Sequence, residues 1–182
     1  MTGGIVSAPQ PEAVEAGADA LRKGGNAVDA AVACALVQTA VDPQMCGIAG
    51  FGSMQLYLPE RGEHLFLDFH GRAPSRARED MWEDLIVKEA EDGFGFILKG
   101  WVNDIGYGAI TTPMTLKALD EALRRYGTMS LGALMEPAIR YAEEGMLVRP
   151  HINYYWNTVE AGGKAPHSMR LTENPEARRI YV

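Results

Sequence analysis

Gly24-Gly25-Asn26-Ala27-Val28-Asp29-Ala30-Ala31-Val32-Ala33 is the stretch that decides the fold. Two glycines stop one helix, in the left-handed manner open to glycine, and an Asn that caps helices opens the next one at once. Asp29 falls in the first turn of that second helix, where a negative charge suits the helix dipole. From residue 27 to residue 41 the pattern is apolar almost all the way round. A helix lying on a surface keeps one polar face, so this helix is expected inside the protein with the rest of the chain wrapped around it.

Upstream, residues 4–8 (Gly-Ile-Val-Ser-Ala) read as a short strand closed by Pro9 and Pro11. A helix over residues 11–23 follows, with Ala13, Val14, Gly17, Ala18 and Leu21 as a narrow face of small residues. Downstream, Asp42-Pro43 ends the interior helix. The glycine density from Gly47 to Gly52 implies close backbone approach or positive φ angles. Residues 53–58 and 64–69 alternate like strands around a turn and make a hairpin. Ser75 can cap a short helical piece through Trp82 and Leu85. Residues 88–108 read as an ordered glycine-rich loop whose aromatics need something to pack on. Residues 109–112 form a candidate strand. Two patterned helices come next. In residues 114–126, Leu116, Leu119, Ala122 and Leu123 face the core, and Gly127 is the stop. The other opens on Ser130, carries Leu134, Ala138, Ile139 and Ala142, and ends at Gly145. A helix over 153–161 and a polar loop over 162–175 complete the reading.

The totals exclude several classes. With 182 residues, 47% of them hydrophobic, the chain suits a globular domain with a real core, or part of a larger one. The net charge is -7 and the basic residues are scattered, which leaves no footprint for nucleic acid. No apolar run is long enough to span a bilayer, and no signal peptide opens the chain. That fits a cytosolic protein, or a cytoplasmic or periplasmic one after removal of a leader. Cys34 and Cys46 are too few for a disulfide scaffold, and neither they nor the four histidines have metal-site spacing. The nucleophile elbow Gly-X-Ser-X-Gly is absent. Gly47-X-X-Gly50-X-Gly52 has a helix before it and a strand after it, the reverse of a dinucleotide-binding turn. Thr2 would become an amine-bearing nucleophile if Met1 were removed, but its place in a leader ahead of the first strand argues against that role.

His70-Gly71-Arg72-Ala73-Pro74 is the best local candidate for a site. It puts a titratable ring and a cation at a strand end, and an Arg there can clamp a carboxylate with two parallel hydrogen bonds. Asp68 reads as an ion-pair partner for Arg72 or Arg76.

Several of these stretches, in order along the chain, resemble the N-terminal part of the large subunit of the γ-glutamyltranspeptidase family. They are residues 25–33, Asp42-Pro43-Gln44 with residues 47–52, residues 68–74, Tyr126-Gly127-Thr128-Met129, and Pro137-Ala138 with residues 142–145. The resemblance covers about residues 3–155, with a gap in register near 88–105. It implies an α+β fold, the helix-rich N-terminal part of the αββα four-layer sandwich of N-terminal nucleophile hydrolases, with residues 1–182 as a single incomplete domain. It further implies a precursor that cleaves itself into a heterodimer and exposes a Thr at the start of the small subunit. That Thr attacks an amide, such as the γ-glutamyl bond of glutathione, and passes the acyl group to water or an amine. On this resemblance the Thr lies outside this chain, which is therefore inactive alone. It needs the small subunit or downstream sequence as a partner, takes a small-molecule amide as substrate and uses no cofactor. His70 stands where the family carries its carboxylate-gripping Arg, and Arg72 has the same strand phase. Phe51 and Ala49 stand where the family tends to have Gly. A related acylase with another acyl group, or a non-catalytic scaffold, are the alternative readings.

Overall fold

The computed structural model describes residues 3–158 and 163–182. Thr2 lies outside them, as do residues 159–161 of the helix expected over 153–161 and residue 162, the first of the expected loop. The chain divides into two compact units. One comprises Met1–Arg72 and Pro113–Leu147, the other Ala73–Thr112 and Val148–Val182.

The first unit is built on the interior helix. Helix α1 is Pro11–Arg22 and α2 is Ala27–Val41. Between them Gly24 takes φ +91, while the Gly25 N–H reaches back to the Ala20 carbonyl and the Gly24 N–H to that of Leu21, a helix stop made by glycine. Val28, Val32, Leu36, Val37 and Val41 of α2 are all buried. Each such side chain withdrawn from water contributes about 1.5–3 kcal/mol, so α2 dominates the core. The buried stripe of α1 is Ala13, Ala16, Gly17 and Ala20, one step round from the expected face. Gly17 is why α1 and α2 sit so close. A Cβ there would lie 2.9 Å from the Ala30 carbonyl oxygen and 2.8 Å from Val6 Cγ1.

Both ends of α2 are held by polar groups. Asn26 caps its start by accepting from the Val28 and Asp29 N–H groups. At the other end the buried Asp42 carboxylate accepts from the amides of Gln10 and Gln38, each at 3.0 Å. Two donors offset the poor placement of an anion at a helix C-terminus.

Strands β1 (Gly52–Leu58) and β2 (Glu63–Phe69) form the expected antiparallel hairpin, with Gly52 opposite Phe69 and Leu58 opposite Glu63. Met54, Leu56 and Leu67 pack on the core, and Ser53, Gln55, Tyr57, His64, Phe66 and Asp68 line the exposed face. The glycine-rich segment before β1 turns tightly, Gly50 N–H to the Gly47 carbonyl. The Gly50 carbonyl then accepts from the N–H groups of Met114 and Thr115, at the start of the next helix of this unit.

That helix, Thr115–Tyr126, and the one after it, Leu131–Glu144, complete the unit. The first buries Ala118, Leu119, Ala122 and Leu123, whereas Leu116 is 37% exposed. The second buries Leu134 and Ala138 and leaves Ile139 and Ala142 outside. Residues 4–8 are not a strand, because a strand needs a ladder partner and none lies beside them among the described residues. Ile5 is 98% exposed.

In the second unit, β3 (Ile86–Glu89) and β4 (Phe96–Leu98) form a short antiparallel pair within the region expected as loop. The helices of the whole chain are then numbered on: α3 is Thr115–Tyr126, α4 Leu131–Glu144, α5 Pro150–Asn157, α6 His167–Thr172 and α7 Pro175–Tyr181. The expected helical piece after Ser75 is absent, since residues 76–80 carry four charges and are exposed, and only Glu83–Leu85 make a 3-10 turn. The expected strand over 109–112 does not form: Tyr107–Ala109 make a 3-10 turn, and of the following residues only Thr112 makes an isolated bridge. Helices α6 and α7 occupy the end of the chain, where a polar loop was expected over 162–175. Some aromatics here do find partners: Trp156 meets Tyr181 edge-on at 5.7 Å, and Trp101 Nε1 donates to the Gly163 carbonyl. Tyr107 does not, and is 93% exposed.

Candidate substrate site at the end of strand β2

Alternation along β2 puts His64, Phe66 and Asp68 on its outer face, and His70 continues that phase beyond the strand end. Asp68 Oδ1 accepts two hydrogen bonds from His70, one from the backbone N–H and one from ring Nδ1, each 3.0 Å long. These two bonds, the backbone one first, hold the Asp68 carboxyl below the usual carboxylate range, and Arg72 adds a smaller attraction. Asp68 is therefore ionised at neutral pH and can only accept. Nδ1 must carry the proton, which leaves Nε2 of a neutral ring with its lone pair free. Among the described residues Nε2 meets no hydrogen-bond partner. The Phe51 ring lies against the imidazole, centroids 5.6 Å apart and planes tilted by 36°.

The structure thus pairs Asp68 with His70, not with Arg72 or Arg76 as the ion-pair reading expected. Side chains two apart on one strand face are neighbours, and the His70 backbone N–H is within the same turn. The Asp-X-His spacing at a strand end was the available signal. Arg72 is exposed and forms no ion pair among the described residues. Its guanidinium is free for an anion.

Away from the site, a second carboxylate does structural work that the dipole reading missed. Asp29 is fully buried. It closes a capping box with the Asn26 N–H at 2.7 Å. It also accepts from the Thr128 N–H, the Thr128 hydroxyl and the Met129 N–H at 2.9, 2.6 and 3.0 Å. Burial pushes this carboxyl up, but the hydrogen bonds outweigh it, Thr128 Oγ1 foremost, and its net shift is downward. Residues 128–129 are thereby tied to the start of α2, so the motif quoted at 126–129 and the one at 25–33 meet in space.

Concavities among the described residues lie elsewhere. A groove of about 440 Å³ runs along α2 beside residues 4–9, and one of about 1050 Å³ in the second unit is lined by Trp82, Phe96 and Tyr107 among others. Burial pushes both cysteine thiols up, so neither is an activated nucleophile. Among the described residues, no group of three or more His, Cys, Asp or Glu side chains is placed to hold a metal ion, and no helix is long and apolar enough to cross a membrane.

The family model for gamma-glutamyltranspeptidase matches residues 13–182. The acylase ACY 1 proenzyme of Pseudomonas sp. strain V22 is 39% identical over 153 residues, 82% of this chain and 26% of that proenzyme. The glutathione hydrolase proenzyme of Bacillus subtilis strain 168 is 39% identical over 147 residues, 78% of this chain and 23% of that proenzyme. Among solved structures, Helicobacter pylori gamma-glutamyltranspeptidase superposes with a TM-score of 0.80 at 27% identity, over 98% of this chain and 46% of that one. The chain thus spans about a quarter of the length of the proenzymes it matches. Since that family model covers residues 13–182, nearly the whole chain, the chain belongs to the γ-glutamyltranspeptidase family.

Proposed function

We propose that this chain is the N-terminal segment of an amide hydrolase and acyltransferase that acts on γ-glutamyl compounds such as glutathione. In this reading the acyl-enzyme forms on a Thr outside the chain, and water or an amine resolves it. Residues 1–182 are then one incomplete domain, part of a four-layer αββα sandwich completed by downstream sequence or a small subunit. The uncovered outer face of the β1–β2 hairpin, with Tyr57 and Phe66 on it, supports a further layer there. The chain's share of its relatives' length supports the partner.

The observation that carries the substrate reading is Arg72, an exposed cation in the 68–74 strand-end motif with no ion pair among the described residues. A guanidinium there can take the α-carboxylate of a glutamyl group by two hydrogen bonds. The test uses the complete polypeptide and γ-glutamyl anilide. Arg72→Ala should raise KM about tenfold to a hundredfold with a smaller change in kcat, the loss of a charge-assisted contact of about 1.5–3 kcal/mol. Arg72→Lys should recover only part of it, because an ammonium lacks the fork. An unchanged KM in Arg72→Ala removes this residue from the site.

One observation favours a second reading. His70 and Phe51 both depart from the family pattern, and they touch. A substrate pocket altered at two adjoining positions suits an acylase with a different acyl group, and the Pseudomonas relative is an acylase by name. Clear turnover of another acyl anilide with none of the glutamyl compound would decide for it.

A further inference from the structure

We propose that Asp68 is a positioning residue that holds the His70 ring with Nδ1–H turned toward itself, so that Nε2 presents a lone pair to the acyl group and selects one carrying a hydrogen-bond donor, an ammonium in particular. This deepens the substrate reading above and rests on it.

The geometry has three parts. Asp68 Oδ1 grips both the backbone N–H and Nδ1 of His70, so the ring is fixed in orientation as well as in tautomer. Phe51 covers the ring on one side and limits its swing. Nε2 is then the one ring nitrogen left for a ligand, and among the described residues nothing in this chain uses it. An Arg in this place would offer donors only. The Asp68–His70 pair reverses that polarity and offers an acceptor, with an ionised carboxylate behind the ring to favour a cationic donor over a neutral one. Arg72, on the same strand phase, supplies the opposite polarity. Together they match the two charges of an α-amino acid end, the carboxylate on Arg72 and the ammonium on His70 Nε2.

Two measurements on the complete polypeptide test this. With 15N-labelled histidine, multiple-bond proton–nitrogen spectra at pH 8 read the tautomer of each ring, and His70 is assigned as the resonance missing from His70→Gln. The expected result is a protonated Nδ1 and a bare Nε2, and Asp68→Ala should shift this ring toward the Nε2–H form that an isolated imidazole side chain prefers. The second measurement compares γ-glutamyl with glutaryl anilide, acyl groups that share length and carboxylate and differ in the ammonium. Asp68→Ala and His70→Gln should each lower the glutamyl-to-glutaryl ratio of kcat/KM at least tenfold. A general loss of folding lowers both substrates together and leaves the ratio alone. An Nε2–H ring in the unaltered protein, or an unchanged ratio in Asp68→Ala, overturns the proposal. If neither anilide is cleaved, the acyl-transfer reading fails. The substrate-free tautomer spectrum then still decides whether Asp68 positions His70.

Discussion

Asp29 shows how much one side chain can carry. Three backbone N–H groups and one hydroxyl converge on a fully buried carboxylate. Replacing it by Ala strands those donors, at a cost on the order of 3 kcal/mol or more. Amide exchange should report this directly: the Thr128 and Met129 N–H groups, slow in the native protein, should exchange at least a hundredfold faster in Asp29→Ala. The same carboxylate sets an acid limit. Its folded pKa is depressed, so its contribution is fully present above the unfolded value of about 3.9 and is lost as pH falls through the lower folded value. The stability gap between the native protein and Asp29→Asn should be constant from about pH 5 to 7 and should narrow below about pH 4. A gap that widens on acidification would contradict the assignment. From sequence, Asp29 reads only as a first-turn anion, because its other partners lie 99 and 100 residues away.

At the scale of elements, the contact of α1 with α2 depends on Gly17. Ala is the better helix former by about 1 kcal/mol, yet here its Cβ would press on the backbone of α2. Overpacking of about 1–3 kcal/mol wins, so Gly17→Ala should lower the melting temperature. Gly132 in α4 is the control, since a Cβ there meets nothing within 4 Å. Gly132→Ala should leave stability unchanged or raise it by about 0.5 kcal/mol, and a matching fall in both variants would refute the steric account. Local signals of this kind made much of the first unit legible. Caps, glycine stops and alternation placed α2 and the β1–β2 hairpin within a residue or so. Faces were less legible: the buried stripe of α1 and the exposure of Leu116 and Ile139 depend on what each helix packs against. The second unit was least legible. Its strands are short, its pattern is interrupted by Gly93, Gly95 and Gly100, and α6 follows Pro166 while α7 opens on Pro175, prolines that read as loop. At the site, the strand end and its two cationic or titratable side chains were visible. The Asp68–His70 grip was not, because alternation puts both on one face without saying which partner Asp68 takes.

For the whole molecule, the chain spans about a quarter of the length of the proenzymes it matches. Residues 3–8 have no ladder partner among the described residues, and one face of the hairpin is bare. The isolated segment should release no anilide. The complete polypeptide should separate on a denaturing gel into two chains, the second beginning with Thr, and Thr→Ala at that position should leave one uncut band. A natural second chain with any other first residue would remove the nucleophile reading. The tie between residues 29 and 128 also has a consequence in time. Helix α2 leaves the ribosome long before Thr128 does. At roughly 5–20 residues per second, the intervening stretch takes about 5–20 s to be made. For that interval the most apolar helix of the chain has its own cap but lacks the partners that bury its first turn. Nascent chains that have not yet released residues 128–144 should therefore be protease-sensitive at α2 and prone to capture by holdase chaperones, and both properties should disappear once α4 has cleared the exit tunnel.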